Sequence, residues 1–300
     1  MEHYNKVRLI AGGSRGEVWV GVDKRTNETV ALKFMSKRHK KSAKAFEVEV
    51  EALKAVQPYV KHHMLRYIDS YKTSTEYVIV TNYARGVDLF FHIEQETAFS
   101  LNDWDTIITD VLEALVIIHR LNMAHRDIKV ENILYTISED TTLIDFGFTG
   151  GEPFVERYVG TAGYMSPRVV EKYMSKPPQP PTLLEYQLSD VFGLGVSMFH
   201  VIDLTEPYWP KYRDSDTPSY DFHNFNKPMK RSPVMTPGKS RRDHTHEQIN
   251  AIVDKMLTAS HTAEELLKEW APEVLGALST PVMPAKLVKS TSLPTITEAD

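Results

Sequence analysis

No cysteine occurs among the 300 residues, which excludes disulfide bonds and thiol chemistry. No apolar run reaches the roughly 18 residues that a membrane-spanning helix needs, and the first residues carry no secretory signal pattern. Positive charge is not in excess either. Lys and Arg number 35 against 40 Asp and Glu, a net charge of −5 that argues against nucleic-acid binding. The 12 histidines have neither cysteine partners nor an H-E-x-x-H spacing, so a zinc site has no support. There is no internal repeat. These absences leave the expectation of an intracellular protein, cytoplasmic or nuclear, without a membrane anchor; its oligomeric state is open. Hydrophobic residues make up 42% of the chain, enough to bury the core of a domain of nearly this length.

What is present is concentrated in one stretch. His125-Arg126-Asp127-Ile128-Lys129-Val130-Glu131-Asn132 is followed by Asp145-Phe146-Gly147. Asp127 and Asn132 are five residues apart, and Asp145 lies 18 residues after Asp127. Phosphoryl transfer needs a carboxylate to orient the attacking hydroxyl and oxygen ligands to hold Mg²⁺ against the phosphates. On these residues the chain resembles the eukaryotic-type serine/threonine protein kinase family. The resemblance implies an α+β, two-lobed protein-kinase-like fold: a small β-rich N-lobe over 1–81, a hinge at 82–84 and a larger, mainly helical C-lobe over 85–271. Residues 272–300, rich in Pro, Ser and Thr, read as a flexible tail.

The other parts that this resemblance calls for follow in order. A glycine-rich turn that closes over phosphates is matched by Ile10-Ala11-Gly12-Gly13-Ser14-Arg15-Gly16, with Val18 after it and alanine where the family has its first glycine. Val30-Ala31-Leu32-Lys33 resembles the strand with the phosphate-binding lysine, 17 residues beyond Gly16. The family pairs that lysine with a glutamate on the next helix. Of Glu47, Glu49 and Glu51, Glu49 fits best, because Leu53 falls one helical turn later on the same packed side. Tyr77 to Ala84 reads as a buried strand entering a connector. The resemblance makes Thr81 the guard of the adenine pocket and gives the Asn82–Ala84 backbone the hydrogen bonds to the base. Ile10, Val18, Ala31 and Leu134 would sandwich it. Asp88 fits two roles, an acid near the ribose or a basic substrate side chain, and an N-cap for the helix beginning at Leu89.

Within the catalytic loop, Asp127 would orient and deprotonate the acceptor hydroxyl, and Lys129 would neutralise charge on the transferred group. Asn132 and Asp145 would supply oxygens to Mg²⁺. His125 and Phe146 read as packing residues, and Asp190 as an acceptor for catalytic-loop amides. Lys129 and Thr161, in Gly160-Thr161-Ala162-Gly163-Tyr164-Met165-Ser166-Pro167, resemble the serine/threonine branch. The implied activity is ATP- and Mg²⁺-dependent transfer to serine or threonine of a protein substrate. The alternative is a pseudokinase scaffold, for which Ala11 and Arg168 are the only hints.

Departures carry information. Where the family ends its activation segment with A-P-E, this chain has Ser166-Pro167-Arg168, and the late segment around Met256–Leu267 lacks the arginine that would pair with that glutamate. Arg157 stands where many relatives carry an activating phosphothreonine, and only Thr149 and Tyr158 bear hydroxyls between Gly147 and Gly160. Activity without activation-segment phosphorylation is therefore expected, with Glu152 or Glu156 offering Arg126 a permanent anion. Glu131, with Asp88, predicts at most a mild preference for basic substrates, since Gly163 and His200 stand where base-directed relatives carry acids. Lys176-Pro177-Pro178-Gln179-Pro180-Pro181 reads as an extended spacer or an SH3-type ligand. The basic residues Lys227, Lys230, Arg231, Lys239, Arg241 and Arg242 read as a solvated loop or a weak nuclear import signal.

Overall fold

The computed structural model describes residues 3–13, 16–60, 63–137, 140–152, 159–203, 211–212, 218–219, 235–236 and 242–278. The N-terminal part is one antiparallel sheet and a helix. Strands β1 (Tyr4–Gly13), β2 (Gly16–Asp23) and β3 (Thr29–Ser36) lead into α1 (Ser42–Val56), then β4 (Tyr67–Lys72) and β5 (Glu76–Asn82). They lie in the order β1-β2-β3-β5-β4. Side chains alternate across a strand, and β3 makes the alternation visible. Val30, Leu32 and Phe34 point to one face, where Tyr4, Val78 and Val80 complete a small apolar cluster. Ala31 and Lys33 point to the other, and so do their cross-strand partners Thr81 on β5 and Val18 on β2. The helix α1 covers this second face with Phe46, Val50 and Leu53.

The β1–β2 hairpin is irregular by design of its sequence. Two register shifts interrupt β1, between Lys6 and Arg8 and between Leu9 and Ala11. At its turn Gly16 has φ +134°, and a Cβ there would fall 1.9 Å from the carbonyl oxygen of Phe34. Only glycine fits that position. Gly12 and Gly13 face open space.

After β5 the chain passes through Tyr83–Gly86 to β6 (Val87–Asp88), α2 (Leu89–Glu94), β7 (Phe99–Ser100) and α3 (Leu101–Arg120). Ser100 and Asp103 form a reciprocal capping box that starts α3. Ile107, Ile108, Val111, Leu112, Ala114, Leu115 and Ile118 are all buried, and so are Asp105, Thr106, Thr109 and Glu113, so α3 is enclosed nearly all round and forms the axis of the C-terminal part. Each such Leu, Ile or Val contributes about 1.5–3 kcal/mol relative to exposure. Strands β8 (Ile133–Tyr135) and β9 (Thr141–Leu143) pair beside β6. Helices α4 (Pro167–Met174) and α5 (Leu183–Asp203) follow. Beyond them come the two-residue strands β10 (Lys211–Tyr212), β11 (Pro218–Ser219) and β12 (Met235–Thr236), and helices α6 (His246–Leu257), α7 (Ala263–Trp270) and α8 (Pro272–Ala277). No helix among the described residues is long and apolar enough to cross a membrane.

Several local readings change. The segment expected to begin a flexible tail begins instead with α8, whose Val274 and Leu275 pack on the core together with Leu278. Glu273 there bonds Arg242 at 2.6 Å, and the same arginine reaches the fully buried Asp105 at 3.1 Å. Arg242 is therefore an internal tether and not part of a solvated basic loop. Lys227, Lys230, Arg231, Lys239 and Arg241, like residues 279–300, lie outside the described residues. In the proline-rich loop, the Gln179 amide bonds back to Lys172 O at 3.0 Å and to the Ser175 hydroxyl, closing a turn where an extended segment was expected.

Candidate active site

Two groups of side chains meet in the cleft between the sheet and the helical part. The first is built on β3, α1 and the segment after β9. Lys33 Nζ lies 2.8 Å from both carboxylate oxygens of Glu49 and 2.8 Å from Asp145 Oδ1. Glu47 and Glu51 are exposed, while Glu49 is buried. Rotation along α1 thus selects the one glutamate that faces the sheet. Burial alone would depress the lysine, but the carboxylates of Glu49 and Asp145 outweigh it and hold Lys33 above the usual lysine range. Asp145 takes a left-handed backbone, φ 58°, which aspartate tolerates better than most residues. The helical turn Phe146–Phe148 follows it, with Phe146 fully buried edge-on against His125 at 5.4 Å between centroids.

The second group is the loop before β8. Asp127 is buried. It accepts from the Thr161 hydroxyl at 2.8 Å, and Lys129 Nζ donates to that same hydroxyl at 3.1 Å while standing 3.7 Å from Asp127 Oδ2. The Asn132 amide nitrogen donates to the backbone oxygen of Asp127 at 2.8 Å and to its Oδ2 at 3.2 Å. Beneath the loop, Asp190 of α5 accepts from the Arg126 amide at 2.7 Å and from the His125 amide at 2.8 Å. His119 Nε2 lies 3.0 Å from the same carboxylate.

Other residues fall around these groups. Ala11, Gly12 and Gly13 end β1 and are exposed, as is Ile10; Ser14 and Arg15 lie outside the described residues. Val18, Ala31 and Thr81 share the sheet face of Lys33, with Thr81 buried. Leu134 sits half-buried on β8. The Asn82 N–H is engaged by Arg66 O at 3.0 Å, so this amide hydrogen is not available to a ligand. Asp88 is the N-cap of α2, its Oδ1 accepting from the Phe91 amide at 2.8 Å. His200 is buried within α5 and does not reach a substrate surface.

The activation segment differs from expectation in two respects. Glu152 caps α5 instead of meeting Arg126: its Oε1 accepts from the Leu183 amide at 2.8 Å. Arg126 bonds Phe148 O through Nε at 2.7 Å and lies over the Tyr186 ring. Glu156, Arg157 and Tyr158 are outside the described residues. Arg168 is 63% exposed and pairs with Glu185 at 3.1 Å, so no buried charge is stranded by the loss of the family's glutamate. Sequence reasoning missed Glu185 and Tyr186 altogether. It also used Thr161 only as a sign of the serine/threonine branch, although its hydroxyl bridges Asp127 and Lys129.

Fit to a divalent ion can be judged from the donors present. Asn132 spends its nitrogen on Asp127, and among the described residues no donor bonds its carbonyl oxygen. A Cβ on Gly147 would lie 3.2 Å from Asp145 Oδ1 and 3.4 Å from Glu49 Oε2, so glycine keeps the space beside that carboxylate open. One neutral and one anionic oxygen suit Mg²⁺, which takes its remaining ligands from water and phosphate.

Residues 4–269 match the protein kinase domain family, and the chain belongs to it. Its sheet-rich N-terminal and helical C-terminal parts are the two lobes of the kinase fold. Among curated relatives, serine/threonine-protein kinase 36 of Mus musculus is 34% identical over 57% of this chain and 13% of its own length. Serine/threonine-protein kinase TIO of Arabidopsis thaliana is 30% identical over 70% of the chain and 15% of its own length. The CaM kinase-like vesicle-associated protein of Xenopus laevis is 27% identical over 75% of the chain and 58% of its own length. The chain thus spans only part of each of these relatives.

Proposed function

We propose that the protein is an active serine/threonine kinase that transfers the γ-phosphoryl group of ATP, with Mg²⁺, to hydroxyls of protein substrates. The observation that carries this reading is the convergence of Lys33, Glu49 and Asp145 on one side of the cleft with Asp127, Lys129, Asn132 and Thr161 on the other. Mg-ATP supplies the transferable phosphoryl group and a metal that spreads its negative charge. Lys33, held by Glu49, is the cation for the α- and β-phosphates. Asn132 and Asp145 are the metal ligands. The β1–β2 turn at 11–16 covers the phosphates, and Ile10, Val18, Ala31, Thr81 and Leu134 enclose the adenine, which bonds to the backbone of the 82–84 connector.

Asp127 Oδ1 is held by Thr161, and its carboxylate is the base that orients the incoming hydroxyl. Lys129, beside both, offsets charge at the acceptor side as the bond forms. The acceptor proton passes to Asp127. Glu131, 44% exposed at the rim of the loop, is the group that would favour a basic residue near the acceptor.

The test is transfer of labelled phosphate from Mg-ATP to a mixed protein substrate by wild type and by Asp127→Ala. Transfer by wild type alone supports the reading, and phosphoserine or phosphothreonine in the product supports its specificity. Absence of transfer by wild type, with nucleotide still bound, overturns it in favour of a scaffold.

A further inference from the structure

Arg126 sits at a crossing point. It has a left-handed backbone, φ 69°. Its amide is held by Asp190, and its Nε donates to Phe148 O, three residues beyond Asp145. Its own carbonyl lies against Gly160, where a Cβ would come within 2.4 Å and where φ is +105°. One residue therefore touches the catalytic loop, the start of the activation segment and its end.

Besides Phe148 O, the guanidinium meets both the ring and the hydroxyl of Tyr186. Its central carbon lies 5.4 Å from the ring centroid of Tyr186, in the first turn of α5. The Tyr186 hydroxyl is 2.9 Å from that of Tyr173 on α4. Tyr173 also receives the Val159 amide, next to Gly160. Tyr186 is buried with Ala124 and Val169 in a small cluster separate from the main core. Burial pulls the Arg126 guanidinium down from its usual range, and Tyr186 and Tyr173 work against that pull. A desolvated cation over a ring is held more firmly than an exposed one. The neighbouring residue, Glu185, ties α4 to the same turn of α5 through Arg168 and Lys172.

We infer that Tyr186 is a positioning residue for phosphoryl transfer, which acts by seating Arg126 and so fixes the Asp127 loop to both ends of the activation segment. The inference rests on the reading of Asp127 as the base. The effect of Tyr186 runs through Arg126 and is therefore indirect.

The experiment uses the full chain and four variants: Y186F, Y186L, R126A and the double R126A/Y186L. Steady-state transfer to one phosphorylated protein of the mixture gives kcat and the KM for Mg-ATP. Y186L is expected to lower kcat roughly tenfold with KM for Mg-ATP nearly unchanged, and Y186F, which keeps the ring but loses the hydroxyl that meets Arg126 and Tyr173, to fall between Y186L and wild type. In the R126A background Y186L should cost nothing further, because its route of action is already gone. Multiplying effects, or a Y186L variant with normal kcat, would overturn the inference. Should Y186L not fold, Tyr173→Phe serves in the same cycle with R126A: it removes the backing hydroxyl without opening the packing. Hydrogen exchange at the 125–127 and 148–150 amides reads the seating independently of turnover. Faster exchange there in Y186L supports it, and unchanged exchange refutes it. A wild type that transfers nothing defeats the proposed function alone, since exchange still decides the role of Tyr186.

Discussion

Replacing Asp190 tests how the catalytic loop is held. The carboxylate is 2% exposed, with Oδ1 accepting from the Arg126 amide and Oδ2 from the His125 amide, beside His119 Nε2. Asp190→Asn keeps one oxygen for the His125 and His119 side and turns an NH₂ toward the Arg126 amide. One buried N–H then loses its acceptor, at a cost of about 1–3 kcal/mol. Asp190→Ala strands both amides, roughly doubling that to about 3–5 kcal/mol, with the bent backbone at Arg126 released as well. Urea titration followed by the four tryptophans measures the midpoint and slope for each variant. At an m-value of about 2 kcal/mol per molar, the alanine midpoint should fall by about 2 M and the asparagine midpoint by about 1 M. Transfer activity measured well below those midpoints should fall in the same order. If both variants stay within about 0.5 kcal/mol of wild type, or if asparagine costs more than alanine, the accounting of buried amides is wrong.

Other outcomes follow from the same geometry. Glu49→Gln removes the main counter-charge of Lys33 and should lower the transfer rate at least tenfold, an effect of at least about 1.4 kcal/mol readable as an initial rate. Gly16→Ala should destabilise the β1–β2 hairpin and raise KM for ATP, whereas Gly12→Ala, which faces open space, should match wild type within about 0.5 kcal/mol in urea. Thr149 is 1% exposed, so phosphatase treatment and Thr149→Val should both leave activity intact; loss in either would refute activation without a segment phosphate. Burial alone would raise the Glu185 carboxyl, but Lys172, the Thr182 amide and Arg168 outweigh it and hold it below the usual glutamate range. A depressed carboxyl contributes stability that is present above its unfolded value, about pH 4.3, and is lost as pH falls through the folded value. Glu185→Gln should therefore flatten the acid limb of stability below about pH 4.3, measured by thermal melts from pH 6 downward.

Much of this protein was readable in one dimension. The kinase fold class came from short blocks, because phosphoryl transfer requires certain residue types within a single loop, as in the Asp127 to Asn132 run. Order along the chain then implied a β-rich first part and a helical second part. Asp88 carried two readings, since the same carboxylate can cap a helix or meet a ligand; the Phe91 amide decides for the cap. Readings of the later chain faltered where local composition misled. Arg242 looks solvated among basic neighbours but reaches the buried Asp105, 137 residues earlier.

The sequence by itself determined the chemistry on offer: which side chains could hold phosphate, metal and hydroxyl, and which classes of partner the charge and missing cysteines disfavour. Only the tertiary structure decided which of these residues meet. The pairing of Lys33 with Glu49 depends on how α1 is rotated against β3. The seating of Arg126 on Tyr186, 60 residues later, depends on α5 passing under the catalytic loop, and Arg168 finds Glu185 because α4 docks there. A local pattern reports a residue's own backbone period and its near neighbours. Contacts between residues far apart in the chain are set by how whole elements pack, and leave no mark in either stretch alone.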